Sequence, residues 1–218
     1  MDIKDFKPLP GDMIAGCGKG FTAWLQKING RANDGRYWTH GAEVTYPTGS
    51  SGQIDIVASA ELNGNVHMRW NEVIEDPSYD IIVVRIKGVT KAETENALDY
   101  GDATFLNDSY GWKSWPWFGW KALWDRVINP IWIKVFGSKL HDVDLEDNWW
   151  TAGTFCTERI WWHLKKVIHV NPKRWNRLQE AIQKYFPNTF QPIQWRNLMM
   201  SEDFEIVMQR LDGIVTIF

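Results

Sequence analysis

Two residues in this chain have the chemistry of a nucleophile and its base, Cys156 and His40. Cys156 follows Thr154, a candidate N-cap for a helix running from Thr151 to Val170 with Asn171-Pro172 as its stop. The first turn of a helix offers unpaired amide donors and the positive end of the backbone dipole. Both favour a thiolate, the nucleophilic form of cysteine, and the same amides can hold an oxyanion. Cys156, Ile160, Leu164, Val167 and Ile168 fall on one helical stripe, so the thiol faces inward or into a cleft. A small buried cysteine on an apolar face has the same pattern with no chemistry.

His40 belongs to an alternating run in which Trp38, His40, Ala42, Val44 and Tyr46 share one side of a strand. Histidine is the usual base for a cysteine because its pKa lies near neutrality. A third polar group normally orients the imidazole, and Glu61, Asp55 and Glu43 are the nearby candidates. A core histidine on a strand is the plainer alternative. The second cysteine, Cys17, lies among Gly16, Gly18 and Gly20, whose spacing is not that of a nucleotide-binding loop.

These residues need elements to carry them. Ile54–Leu62 reads as a second strand, with a hairpin signal at Asn63-Gly64 before a strand Val66–Trp70. The β-branched run Tyr79–Lys87 reads as a central strand. Thr90-Lys91-Ala92-Glu93 has the form of a capping box opening a helix toward Tyr100. Asp108–Asn148, rich in Trp and broken by Pro116 and Pro130, predicts irregular structure with short helical pieces. Beyond Val170 the pattern predicts a helix over Lys173–Tyr185 and a terminal hairpin turning at Asp212-Gly213. Helices and hairpins in separate blocks indicate an α+β fold.

Composition limits the partners. The 218 residues carry a formal net charge of −3, so no chain-wide attraction to nucleic acid is implied. The apolar stretches are too short for a membrane span, and Met1–Pro8 has no signal-peptide core, which points to a soluble cytoplasmic protein whose later release or packaging in a virion stays open. Two cysteines do not make a disulfide framework. His141, Asp142 and Asp144 are close in sequence but read as a solvated loop, and His163 and His169 are too far apart on a helix to share a metal. No metal and no cofactor is expected. Ten of the 15 Trp lie between Trp112 and Trp162, which suits a core or the wall of a greasy cleft.

Several short motifs occur in a telling order: Pro10-Gly11-Asp12, Trp38-Thr39-His40-Gly41-Ala42-Glu43-Val44, Glu61-Leu62-Asn63-Gly64-Asn65-Val66, Tyr79–Arg85, Tyr110-Gly111-Trp112 and Phe155-Cys156-Thr157-Glu158. This order resembles the circularly permuted NlpC-like branch of papain-fold cysteine hydrolases, the YiiX-like group, related to lecithin retinol acyltransferase-like proteins. In that branch the histidine strand precedes the cysteine helix. The resemblance covers roughly Leu9–Leu164. It implies a permuted papain-like domain over 1–170, with a Trp-rich insertion at about 110–150 and a 171–218 extension packed on it. It further implies Cys156 as nucleophile, His40 as base and Glu61 as the group orienting His40, with a bulge or a different register needed because on a regular strand Glu61 lies on the face opposite Ile54 and Ile56. The expected activity is hydrolysis of an amide in a cell-wall-type or other short peptide through a thioester. A lipid amide or ester hydrolase or acyltransferase, and a non-catalytic binding module retaining the fold, are the alternatives.

Overall fold

The structure is a computed structural model that describes residues 3–17, 34–46, 56–61, 64–75, 77, 79–105, 127–137, 156–185, 190 and 192–218. A seven-stranded antiparallel sheet organises them, in the order β4-β3-β2-β1-β5-β6-β7. The strands are β1 (Met13–Cys17), β2 (His40–Thr45), β3 (Ile56–Glu61), β4 (Gly64–Arg69), β5 (Asp80–Ile86), β6 (Phe204–Leu211) and β7 (Ile214–Ile217). Helices α1 (Trp70–Ile74), α2 (Lys91–Phe105), α3 (Asn129–Phe136), α4 (Glu158–Val170), α5 (Asn176–Ile182) and α6 (Pro192–Leu198) complete the order. The α+β expectation holds.

The middle of the sheet is covered on both faces, which explains the continuous apolar runs of β1 and β5. Met13, Ala15, Ile82, Val84 and Ile86 pack against Ile160, Leu164 and Val167 of α4, Leu178 and Ile182 of α5, and Trp195 of α6. Ile14, Ala42, Val44, Ile81 and Val83 face the other way, toward Ile3, Phe6, Trp70 and Ile74. The terminal hairpin is part of this sheet, since β6 pairs with β5 from Ile81↔Arg210 to Ile86↔Phe204. Asp212 (φ 51°) and Gly213 (φ 79°) make its turn with the two left-handed residues that a tight hairpin favours.

Several boundaries differ from the sequence pattern. Strand β2 starts at His40, and Trp38 packs in the helix-side cluster while Ala42 and Val44 pack in the opposite one. The alternation therefore breaks before His40. Trp38 is held on its own side by Asp34, whose carboxylate accepts the indole N–H at 3.0 Å, and by the Arg196 guanidinium over its ring. Gly64 is already paired with Glu61, so the hairpin loop falls one residue earlier than Asn63-Gly64 suggested. Helix α4 begins at Glu158 and α5 is shorter than Lys173–Tyr185. Thr154, Asp55, the Gly18–Gly20 part of the glycine loop, the His141–Asp144 cluster and most of the Trp-rich stretch lie outside the described residues. From that stretch the structure describes α3, one of the short helical pieces expected there, with Pro130 in its first turn.

Candidate active site

The site is built where α4 starts against β2. Thr157 is the N-cap of α4, and its carbonyl accepts from the Trp161 amide at 3.0 Å. Its hydroxyl is turned away and donates to the Phe190 carbonyl. Cys156 therefore stands just ahead of the helix, in a turn, with 3% of its surface exposed. The thiol is close to the helix start, as expected, but one step outside the first turn rather than within it.

A glycine brings the two elements together. A Cβ placed on Gly41 would lie 2.7 Å from Thr157 Cγ2 and 2.9 Å from Ile160 Cδ1. No side chain fits there, so the His40-Gly41 step of β2 is seated directly against the residues that follow Cys156. We expect Gly41→Ala to lose about 1–3 kcal/mol through overpacking. Gly16→Ala, whose added carbon meets nothing closer than 3.9 Å, should be nearly neutral, and urea denaturation of the two variants checks both.

His40 pairs with Gly16 of β1, and a Cβ on Gly16 would lie 4.0 Å from that of His40. Directly opposed residues share a sheet face, which puts His40 on the side of Ala42 and Val44 and leaves Gly41 facing α4. The histidine is half-buried. Both residues thus occupy the same end of β2, with His40 leaving the strand on the face away from α4. Glu61 ends β3, and the pairing of β2 with β3 runs from Thr45↔Ile56 to Ala42↔Ser59, stopping short of His40 and Glu61. No register shift interrupts that pairing.

Glu43, the other described candidate for orienting His40, has a different task. It is fully buried and faces α4, where it accepts from Arg159 Nε, and His163 Nδ1 stands 3.0 Å from its second oxygen. Arg159 also donates to Asp102 of α2. Asp102 in turn accepts from the Thr45 hydroxyl at 3.1 Å and meets His67 Nε2 at 3.2 Å. Gly101, in mid-helix, makes room for this guanidinium: a Cβ there would lie 3.1 Å from Arg159 Nη2. Burial alone would raise the Glu43 pKa, but the charge of Arg159 and the adjacent His163 hold it below the usual carboxylate value. For Asp102, burial is likewise outweighed by His67 and Arg159, and the pKa falls to about 2.

The Pro10-Gly11-Asp12 motif has a structural task. Asp12 is buried and accepts from Arg85 at 2.7 and 2.9 Å and from the Leu9 amide at 2.8 Å. Gly11 (φ 88°) supplies the left-handed turn before it. Cys17 lies opposite Asp80 at the end of β1, and burial, with Asp80 and Asp34 adding to it, pushes its thiol up to about 12. His163 is buried against Glu43 and His169 is exposed. Among the described residues no group of three His, Cys, Asp or Glu side chains could hold a metal ion.

The sequence did not single out Arg159, Asp102 or Trp195. The first two carry one signal in retrospect, a glycine inside a helix, which costs stability unless something passes close to it. No protein-family model matches the chain, and no curated protein matches it significantly.

Proposed function

We propose that the protein is a cysteine hydrolase of the permuted papain-like kind, acting on an amide bond in a short or cell-wall-type peptide. The observation that carries this reading is the seating of the Cys156-Thr157 turn on the His40-Gly41 step, at a glycine with no space for a side chain. The chain order, histidine strand before cysteine helix, is that of the family the motifs resemble. In this mechanism the His40 side chain, which leaves β2 on the face away from α4, swings past the end of the strand to take the Cys156 proton. Glu61, the last residue of the neighbouring β3, orients the ring. The thiolate attacks the carbonyl, backbone amides at the start of α4 stabilise the oxyanion, and His40 protonates the leaving amine. Water, deprotonated by His40, then cleaves the thioester.

A second reading, a non-catalytic module with a retained fold, is favoured by the burial of Cys156 and by the face from which His40 leaves its strand. Iodoacetamide labelling against pH, read by mass spectrometry, separates the two. The hydrolase predicts fast labelling of Cys156 well below the free-thiol pKa of about 8.5, lost in His40→Ala. Cys17, with its thiol pushed up to about 12, serves as the slow internal standard. Slow labelling of Cys156 that ignores the His40 substitution would leave the module reading standing.

A further inference from the structure

The described part of the Trp-rich stretch is not where an apolar helix belongs in a water-soluble fold. None of the residues of α3 is buried. Ile131 is 58% exposed, Val135 64% and Phe136 61%, and Val127, Trp132 and Ile133 are exposed beside them. Successive helical residues are turned by about 100°. Ile131, Trp132 and Ile133 therefore spread apolar surface around most of the circumference, and no single face is reserved for the core. Trp132 stacks on Phe136 with ring centroids 4.2 Å apart, which enlarges the patch without covering it. Helices this short are marginal in water by themselves.

The sequence around α3 says what covers it. Residues 111–140 hold six Trp and five basic side chains (Lys113, Lys121, Arg126, Lys134 and Lys139) against one acidic residue, Asp125. The whole chain, by contrast, has a formal net charge of −3. A basic, Trp-rich segment in an acidic protein has the chemistry of a bilayer interface: indole rings settle at headgroup depth, aliphatic side chains enter the acyl boundary, and Lys and Arg meet anionic headgroups. At eight residues α3 is about 12 Å long. It can lie in the interface but not cross it, in keeping with the absence, among the described residues, of any helix long and apolar enough to span a membrane.

We propose that the surface built on α3 docks the protein on an anionic lipid bilayer. This is independent of the chemistry at Cys156 and is tested without reference to it. The full chain is mixed with vesicles of phosphatidylcholine alone, or with a third of phosphatidylglycerol, and bound protein is separated by flotation. Binding to the anionic vesicles should exceed that to neutral ones by about tenfold and weaken with salt. Ile131→Glu/Phe136→Glu alters only exposed side chains and should abolish binding with the far-UV circular dichroism unchanged. Lys134→Glu, on α3 itself, should weaken the preference for phosphatidylglycerol. Absence of vesicle binding, equal binding to both compositions, or binding that survives Ile131→Glu/Phe136→Glu would each overturn the proposal. Self-association abolished by that double variant, without vesicle binding, would overturn it in favour of a second copy as the occupant.

Discussion

Arg159→Met should destabilise the protein by about 3–5 kcal/mol, the usual cost of stranding one partner of a buried ion pair. Arg159 is 3% exposed and Glu43 is fully buried, so water cannot replace the lost guanidinium at the carboxylate. Asp102 loses the same partner but retains Thr45 and His67 and is less enclosed, so most of the effect falls on Glu43. Glu43→Gln/Arg159→Met should recover a large part of the loss, because a neutral amide is far cheaper to bury than an unpaired carboxylate. Urea denaturation of the two single variants and the double variant checks this. Additive losses would mean that the two side chains do not act as a pair. The same pair makes an acid limb. Asp102, at about 2 in the fold against an ordinary 3.8, contributes stability in full above the ordinary value, and that contribution is lost as pH falls from there through about 2. Glu43, also held low, adds to the loss in the same direction.

Trp195→Ala is expected to cost a comparable amount, about 3–5 kcal/mol. The indole is fully buried, packs edge-on against Phe204 at 5.5 Å, and donates to the Ile14 carbonyl of β1 at 3.0 Å. Its Cδ1 also lies 3.5 Å from the space a Cβ on Gly41 would occupy. One side chain thus touches the central strand, the terminal hairpin and the step beside His40. Trp195→Phe keeps most of the packing and should lose about 1 kcal/mol with the hydrogen bond. A denaturation series of the three proteins measures the difference. If Phe proves as damaging as Ala, the hydrogen bond outweighs the packing and the site depends on it.

These two residues also show where sequence reading reaches its limit. Elements whose cause is local were legible. The capping box is formed, with Thr90 Oγ1 accepting from the Glu93 amide at 3.2 Å and the Glu93 carboxylate accepting from the Thr90 amide at 2.8 Å. The Asp212-Gly213 turn and the β-branched run of β5 were legible for the same reason. The types of the candidate site residues could be read, as could their attachment to a strand and a helix start. Their mutual placement could not, because it depends on contacts between residues far apart in sequence. Glu43 and Arg159 are 116 residues apart, and Trp195 bonds a carbonyl 181 residues away. Helix α6 is only seven residues long, too short for a periodic signal. Helix α4 starts at Glu158 with Thr157 as its N-cap, and its first turn docks on Gly41 more than a hundred residues earlier. Trp38 matched the alternation of β2 by residue type but is held on the other side by Asp34 and Arg196.

The place of β6 in the sheet has a consequence for how the chain acquires its structure during synthesis. Strand β5 finds its second neighbour only in residues made more than a hundred positions later, in the pairing of Ile86 with Phe204. Until then it is an open edge whose run Ile81, Ile82, Val83 and Val84 is apolar on both faces, with charged side chains only at Asp80 and Arg85 to keep it from pairing with other chains. Contacts of such long separation slow folding, and nascent intermediates with exposed strand edges are the species that aggregate. The solubility of the newly made protein therefore depends on how quickly its last hairpin closes over β5.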